Sequence, residues 1–323
     1  MRNHHVTITD SPRSFTGRPE FENLGDAIAR ASRRVPKRRL EPEVTIVVPA
    51  KNEAENLRLV LPELPPVHEV LVVDGHSHDD TLQAAHEALP GVRVIQQTRR
   101  GKGNALACGF QAASGDVIVM FDADGSADPA EIPRFVDALV GGADFAKGSR
   151  FTAGGGSHDI TALRAAGNSG LNRLSNTLFS GGFTDLCYGY NAFWRDLVPG
   201  LALPPVFDPP GQAMAWGDGF EIETVINCRV AALGLWITEV PSVERKRIHG
   251  ETNLRTFSDG GRVLRTLVAE WQRVGRQRRT RRFGELLPPE ASSAVRGSLT
   301  ADSGMRGSLT AVVRRGGGLG GRA

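Results

Sequence analysis

The sequence is poor in cysteine and has no long hydrophobic run, and each absence excludes a class of protein. Its 323 residues include three cysteines, none in a Cys-x-x-Cys pair or near a histidine at metal-binding spacing. This pattern predicts neither a disulfide framework nor a zinc site, and it favours a reducing compartment. The chain lacks any uncharged apolar stretch of about 18 residues, and its first residues lack the apolar run of a signal peptide. We therefore expect a cytoplasmic protein, soluble or peripheral at the inner face of the membrane.

Positive charge is concentrated in two segments, although the net charge is only +3. The segment RRVPKRRL precedes the first predicted strand, and RVGRQRRTRR, Arg273 to Arg282, lies near the far end. Such runs are usually solvated, and the functional alternatives are contact with nucleic acid or with an anionic membrane surface. No aromatic-interleaved RNA-binding motif or zinc finger accompanies them, so nucleic acid is disfavoured as a partner.

Short apolar segments alternate with helical ones from Val44 onward. The first three are VTIVVPA, VHEVLVVDG and VRVIQQ, the fourth is DVIVMFDAD, and segments of about 10 to 15 residues with helical character separate them. This alternation is typical of βαβ units around a parallel sheet. The sequence therefore predicts an α/β fold with a Rossmann-like first half. In the second half it predicts helices at 160–179 and FEIETVINCRVAALG, and an edge strand at WITEVPSVER.

Two aspartates, Asp122 and Asp124, directly follow the fourth predicted strand in the stretch VIVMFDADGSADP. Side chains at positions i and i+2 point to the same side, and ligands of parallel sheets bind at the carboxyl ends of the strands. The pair suits Mg²⁺ or Mn²⁺, but it could equally cap the following helix. Phosphatases of the haloacid dehalogenase kind have a similar motif on the first strand of their domain. Three strands precede it here, which argues against that class.

Each of the three preceding strands also ends in a polar segment, and the order of these segments is more specific than any one of them. VVPAKNEAEN, LVVDGHSHDDT and TRRGKGNAL come before the Asp-Ala-Asp segment. In this order they resemble the family 2 glycosyltransferases of the GT-A fold. The later segments GSRFTAGGG, DLCYGYNAF and RIHGETNL resemble the branch of dolichol-phosphate mannose synthases and polyprenyl-phosphate glycosyltransferases. The resemblance covers roughly residues 44–271.

Two positions depart from the pattern of that branch. Gly75 stands where branch members often carry a second aspartate, and Asn253 stands where they carry a lysine. These differences leave the sugar and the acceptor open.

The resemblance implies a domain organisation as well as a fold. We expect a Rossmann-like, mostly parallel central sheet flanked by helices, with flexible extensions at both ends. The expected segments are an N-terminal extension at 1–40, a GT-A domain at 41–255 with a nucleotide-sugar half at 41–150 and an acceptor half at 151–255, a basic amphipathic helix at 256–285 and a disordered tail at 286–323.

For the donor, the resemblance implies a UDP- or GDP-linked sugar bound at the ends of the strands. The residues implied for the nucleotide pocket are Pro49, Asn52, Glu53 and Asp74. Lys102, between two glycines, would approach the phosphates. Asp122 and Asp124 would hold the metal, Mg²⁺ or Mn²⁺, with Ser126 as a further oxygen. Asp124 would thereby assist the departure of the nucleotide.

For the acceptor, the resemblance implies arginines that bind an anionic group, and these are Arg150, Arg164 and Arg247, with Ser169 close by. The reaction would be an inverting displacement at the anomeric carbon, with Arg150 in the catalytic set. A phosphate acceptor is already ionised and requires no strong base, whereas a hydroxyl acceptor does. Asp218 is the predicted base in that case, ahead of Glu221 and Glu223.

The favoured acceptor is polyprenyl phosphate, and two alternatives stay open. The first keeps the donor chemistry with a soluble hydroxyl acceptor, as in polysaccharide or secondary-metabolite assembly. The second is a nucleotide-binding module without catalysis. A sugar nucleotidyltransferase is disfavoured, because its first strand should lead into a Gly-rich turn and PAKNE is not one.

The segment after residue 256 has apolar residues at helical spacing and ends in the arginine run. The apolar residues are Val263, Leu264, Leu267, Val268, Trp271 and Val274. Such a helix packs on its own domain in most proteins, but a basic amphipathic helix can also lie on an anionic membrane. Peripheral membrane contact is therefore a second hypothesis for this segment.

Overall fold

The computed structural model describes residues 38–206, 213–250 and 256–286. The described residues divide into two units at Gln272, and the described part of the second unit, 273–286, is helical. The predicted N-terminal extension lies outside the described residues except for 38–40, and the predicted tail except for Leu286.

The first half of the chain alternates strands and helices. The strands are β1 Val44–Ala50, β2 Glu69–Asp74, β3 Arg93–Gln96 and β4 Val117–Met120, and the helices are α1 Ala54–Val60, α2 Thr81–Ala88, α3 Lys102–Ala112 and α4 Ile132–Val140. Strand β1 pairs in parallel with β2 and β4, and β2 pairs in parallel with β3. Because Ala50 lies beside Asp74 and Asp74 beside Gln96, the carboxyl ends of these strands are level.

The second half completes the sheet. Its strands are β5 Phe145–Ser149, β6 Gly156–Ser157, β7 Asn191–Trp194, β8 Ile237–Pro241 and β9 Val243–Glu244, and its helices are α5 Ala162–Phe179, α6 Val198–Leu201, α7 Ile222–Ala232 and α8 Thr256–Leu286. Seven strands form one sheet in the order β3-β2-β1-β4-β7-β5-β8, and β6 pairs with β9. The prediction of a mostly parallel central sheet flanked by helices is confirmed, and β8 is the edge strand that was predicted.

Strand β7 was not predicted. It runs antiparallel to both neighbours, β4 and β5, and separates the two parallel parts of the sheet. All four of its residues are buried, so its sequence NAFW shows no alternation of polar and apolar positions. A short apolar run of this kind carries no periodicity that distinguishes a strand from a buried loop or helix.

Apolar side chains cover both faces of the sheet, which explains the continuous apolar character of the parallel strands. On β1, Ile46 and Val48 belong to one core cluster and Val47 to the other. Phe193 of β7 lies in the second cluster, where its ring makes an edge contact with Phe110 at 5.2 Å and stacks on Phe145 at 5.7 Å. None of the helices in the described ranges combines the length and the apolar character needed to cross a membrane.

We expect Phe193→Ala to lower the free energy of unfolding by about 3–5 kcal/mol, because it leaves a cavity between two aromatic rings at the centre of the sheet. Urea unfolding followed by circular dichroism measures the change. Leu59→Ala in α1 is the control, since Leu59 is half exposed and its loss should change the value by less than about 0.5 kcal/mol. Equal stabilities of the two variants would contradict the assigned position of β7.

Candidate active site

A cavity of about 790 Å³ lies at the carboxyl ends of the strands. It collects most of the residues that the motifs singled out. The predicted residues that line it are Pro49, Asn52, Glu53, Lys102, Asp122, Asp124, Ser126, Arg150, Arg164, Glu223 and Arg247. Four others, Asp74, Ser169, Asp218 and Glu221, are not among its lining residues.

The carboxylates of Asp122 and Glu223 share one ammonium group in this cavity. The Lys102 Nζ lies 2.8 Å from Asp122 Oδ1 and 2.7 Å from Glu223 Oε1. Burial acts to lower the pKa of Lys102, but the charges of Asp122 and Glu223 outweigh it and raise that pKa. Burial raises the pKa of Asp122; Lys102 opposes this shift, while the charges of Asp124 and Glu223 add to it. The cluster therefore holds more carboxylate charge than its one lysine neutralises.

Asp124 occupies the turn that follows β4. Its Oδ1 accepts a hydrogen bond from the Ser126 amide at 3.0 Å, and its Oδ2 lies 3.4 Å from Arg247 Nη1. Arg247 also pairs with Glu53, so it joins the turn after β1 to the turn after β4. Burial acts to lower the pKa of Arg247, and the hydrogen bond and charge of Glu53 outweigh it, so the pKa is raised. The guanidinium is therefore a permanent positive charge beside the carboxylates.

The Asp122 and Asp124 carboxylates fit a hard divalent cation. Within the described ranges, no group of three or more His, Cys, Asp or Glu side chains is arranged to hold a metal ion. The protein would thus contribute two carboxylates, and phosphate oxygens and water would complete the coordination. This is the donor set that Mg²⁺ takes in nucleotide-dependent enzymes, and the excess carboxylate charge of the cluster favours a cation there.

Arg150 is held rigidly at the other side of the cavity. Its Nε and Nη2 lie 2.7 and 2.9 Å from the two oxygens of buried Asp185, and its Nη1 lies 3.0 Å from Glu244 Oε2. Its guanidinium carbon lies 4.9 Å from the ring centre of Tyr188. Burial acts to lower the pKa of Arg150, but Asp185 outweighs it and raises that pKa. The Asn168 amide donates to Asp185 at 3.2 Å and completes the support.

Helix α5 contributes one face to the cavity. Arg164, Gly167, Asn168 and Leu171 line it at spacings of three and four residues, as expected for one side of a helix. Ser169, which the motif comparison aligned with this region, is exposed, and its hydroxyl donates to the Ala165 carbonyl of the same helix at 3.0 Å. Helical spacing predicts Asn168, four residues after Arg164, as the lining residue in place of Ser169.

Two predicted nucleotide-pocket residues shape their own turns. Asn52 has a left-handed backbone (φ 55°), and its Oδ1 accepts a hydrogen bond from the His78 amide at 2.9 Å. Asp74 is buried at the end of β2, where it accepts hydrogen bonds from the amides of His76 and Ser77 at 3.1 and 3.2 Å. Asp74 therefore organises the loop after β2 and does not face the main cavity.

The position of Asp218 argues against the base role predicted for it. Asp218 is fully buried, and its carboxylate lies 2.7 and 3.0 Å from Nε and Nη2 of buried Arg99. The same carboxylate accepts a hydrogen bond from the Ala215 amide at 2.7 Å. A base must reach the proton that it removes, and this carboxylate is enclosed in a structural ion pair. Glu221 is likewise engaged, by the amides of Gly217 and Gly219.

The glycines beside Lys102 are explained by contact with the Asp218 loop. A Cβ at Gly101, whose φ is +112°, would lie 2.1 Å from the Asp218 carbonyl oxygen, and one at Gly103 would lie 1.8 Å from that of Gly217. The Gly103 amide donates to the Asp218 carbonyl at 2.7 Å. Glycine is therefore required here by packing between two loops, in contrast to the predicted approach of a phosphate to bare backbone.

Comparison with known proteins identifies the family. The model of glycosyl transferase family 2 matches residues 45–199. The chain is 33% identical over 250 residues to a polyprenol monophosphomannose synthase of Mycolicibacterium smegmatis, covering 73% of this chain and 89% of that protein. It is 31% identical over 245 residues to an undecaprenyl-phosphate mannosyltransferase of Micrococcus luteus, covering 71% and 96%. The chain belongs to glycosyltransferase family 2, and its resemblance to the polyprenyl-phosphate branch is confirmed.

A solved structure shows the same architecture. The chain is similar to glucosyl-3-phosphoglycerate synthase from Mycobacterium tuberculosis in complex with Mn²⁺, uridine diphosphate and phosphoglyceric acid, with a TM-score of 0.54 and 25% identity. The superposition covers 79% of this chain and 84% of that chain. The predicted GT-A fold is confirmed.

We expect Asp218→Ala to lower the free energy of unfolding by about 3–5 kcal/mol, because it leaves the Arg99 guanidinium buried without this carboxylate. Guanidinium chloride unfolding measures the change. An unchanged stability together with a large loss of activity would instead favour the base role.

Lys147 in β5 gives a second expectation, for the pH dependence of stability. It is fully buried, its Nζ donates to the carbonyls of Gly148 and Tyr188 at 2.8 and 2.7 Å, and burial lowers its pKa from 10.5 to about 8. Between these two values the unfolded chain binds the additional proton, so the contribution of Lys147 to the free energy of unfolding rises with pH and is constant below about pH 8. Unfolding of the wild type and of Lys147→Met from pH 7 to 10.5 should show this rise in the wild type alone. Parallel curves would contradict it.

Proposed function

We propose that this chain transfers a sugar, with inversion at the anomeric carbon, from a UDP- or GDP-sugar to polyprenyl phosphate. One observation carries the proposal: a single cavity joins a carboxylate-rich edge, a group of arginines and an apolar wall. The apolar residues are Ile160, Leu163, Leu171, Phe220 and Val263. A lipid phosphate requires both the arginines, for its phosphate, and the apolar wall, for its chain. The names of the two bacterial relatives point to the same class of acceptor.

On the donor side, positive groups converge where a diphosphate would lie. Lys102 is the first residue of α3, and its ammonium favours phosphate oxygens, while Arg247 places a guanidinium beside Asp124 in the same cavity. Pro49 near the end of β1 and Asn52 and Glu53 in the turn after it line the cavity at the same edge. A second cavity of about 800 Å³ shares Lys51 and Gly75 with the first and offers room for the nucleoside. Asp74 would contribute by holding the loop that borders this second cavity.

The metal requirement is part of the proposal. Asp122 and Asp124 would hold Mg²⁺ or Mn²⁺, and Ser126 lines the same turn. When bound, the ion supplies charge neutralisation for the departing nucleoside diphosphate. The similar synthase from Mycobacterium tuberculosis contains Mn²⁺ together with uridine diphosphate, which supports this assignment.

On the acceptor side, Arg150 would fix the phosphate that attacks. Its three side-chain hydrogen bonds in the described part of the chain use three of the five N–H groups of a guanidinium, which leaves N–H groups for an oxyanion. Arg164, one-fifth exposed on α5, lies in the wall of the same cavity. A planar guanidinium with a fixed orientation is suited to a phosphate in a defined position.

A phosphate acceptor also agrees with the distribution of carboxylates. The attacking oxygen is ionised at neutral pH, so the reaction depends on positioning and on charge stabilisation rather than on proton removal. Asp218 is buried in its pair with Arg99, and Glu223, which does line the cavity, is engaged by Lys102. The site is therefore better equipped for a phosphate than for a hydroxyl acceptor.

A soluble phosphorylated acceptor is the second candidate. The observation that favours it is the likeness to a synthase whose complex contains phosphoglyceric acid. In that case Arg150 and Arg164 would bind the anionic group, while the apolar wall would have no counterpart in the acceptor.

A transfer assay distinguishes these functions. Purified protein with Mg²⁺ or Mn²⁺ is offered labelled UDP- and GDP-sugars together with either a short-chain polyprenyl phosphate or 3-phosphoglycerate. We expect label in the organic phase with the lipid acceptor, and loss of at least about 100-fold in rate for Asp124→Asn and Arg150→Ala. Asp137→Asn, a change of the same type at an exposed position of α4, is the control and should leave the rate unchanged.

Each outcome assigns a function. Label retained in the aqueous phase on 3-phosphoglycerate would replace the lipid acceptor by the soluble one. Binding of nucleotide without any transfer across the whole panel would favour a non-catalytic nucleotide-binding module.

A further inference from the structure

Helix α8 leaves part of its apolar surface uncovered. Thr266, Leu267 and Glu270 are buried against the domain, and Val263 is half-buried. On another face, Leu264, Val268 and Trp271 are 46%, 43% and 52% exposed. Their spacing of four and three residues places them in one line along the helix. We call these three residues the apolar stripe. The apolar face expected from the sequence is thus divided between the core and the surface.

Buried polar contacts fix the orientation of α8 on its own domain. Glu270 pairs with Arg229 of α7 at 2.8 Å, and it accepts a hydrogen bond from Trp216 Nε1 at 3.1 Å. Because Glu270 is one residue from Trp271, these contacts fix the rotation of the helix about its axis and therefore the side to which the stripe faces. The exposure of the stripe is therefore a property of the folded domain.

The stripe begins beside the cavity. Gly260, Arg262 and Val263 line the cavity, and Leu264 follows them directly on the helix. The Arg262 guanidinium carbon lies 5.9 Å from the ring centre of Phe220, a half-exposed residue of the apolar wall. A surface that covers the stripe would therefore lie next to the apolar end of the cavity.

The charges on α8 indicate the kind of partner. Arg265, on the same helix, lies 5.8 Å from the ring centre of Trp216. The sequence from Arg273 to Arg282 adds six arginines and no carboxylate. A helix that combines an exposed tryptophan in an apolar line with an arginine-rich sequence has the composition of helices that lie in the headgroup region of anionic bilayers.

We propose that α8 docks on an anionic lipid bilayer through Leu264, Val268 and Trp271, so that the apolar end of the cavity opens at the membrane surface. The partner is the bilayer itself. This docking is separate from sugar transfer, because it requires neither donor nor acceptor.

Co-sedimentation of the full chain with vesicles tests the proposal. Vesicles of phosphatidylglycerol and phosphatidylcholine are compared with vesicles of phosphatidylcholine alone, at low and high salt. We expect binding that requires the anionic lipid and weakens with salt. The triple variant Leu264→Ser, Val268→Ser, Trp271→Ser should bind at least about 10-fold more weakly, with an unchanged melting temperature.

A matched control tests whether the effect depends on where the exposed apolar residues lie on the domain. Leu233 and Trp236, 46% and 59% exposed in the turn before β8, are changed to serine together and should leave vesicle binding unchanged. The conservative variant Trp271→Phe should keep binding but lose the blue shift of tryptophan emission that vesicles produce in the wild type.

Three results would overturn the proposal. They are absence of vesicle binding by the wild type, wild-type binding by the triple variant, and equal loss in the control pair. A wild-type dimer in sedimentation equilibrium that the triple variant converts to a monomer would assign the stripe to an interface between copies. Because transfer to a short-chain acceptor in detergent is assayed without vesicles, failure of the docking is distinguishable from failure of the proposed reaction.

Discussion

The buried ion pair between Arg99 and Asp218 is the interaction on which the arrangement of the cavity depends. It joins the segment after β3 to the loop before α7, and the backbone of that loop also accepts hydrogen bonds from Gly103 and Asn104. Lys102 and Glu223 lie in the first turns of the helices that follow these two segments, so the pair brings them together. Two elements more than 100 residues apart thus present their charges to the same point. Burying a charged pair is energetically costly unless both partners are fully hydrogen-bonded. Arg99 and Asp218 meet this condition.

The cavity is electrostatically divided. Asp122, Asp124 and Glu223 lie after β4 and on α7, close to Lys102 and Arg247, whereas Arg150 and Arg164 lie after β5 and on α5. Asp185 neutralises part of the charge of Arg150 and limits its rotation, while Glu244 binds the same guanidinium from β9. An anion entering between the two groups therefore meets arginines on one side and, once a cation is held by Asp122 and Asp124, a neutralised edge on the other.

The convergence of Glu53, Lys102 and Asp122 on one cavity could be predicted from sequence, because each of them follows a parallel strand within a few residues. Parallel pairing brings the ends of neighbouring strands level, so Glu53, Lys102 and Asp122 converge whatever the details of the loops. The position of Arg150 depends on contacts that no local pattern encodes. The partners of Arg150 are 35 and 94 residues away from it in sequence. Asp218 was predicted as a base because it lies in a Gly-flanked loop. Its burial against Arg99 indicates a structural role, and no local sequence pattern shows this burial. The metal and the acceptor stay predictions.

The position of β7 has a consequence for the order in which the protein assembles. Strands β1 to β4 have all their mutual partners by residue 120, whereas β5 pairs only with β7 and β8, which follow it by dozens of residues. During synthesis the edge that carries Glu53, Lys102 and Asp122 can therefore form while β5 still lacks a neighbour. The closing of long loops delays the pairing of distant strands. The chain is thus expected to pair strands β1 to β4 first and to place Arg150 only after Trp194 has emerged.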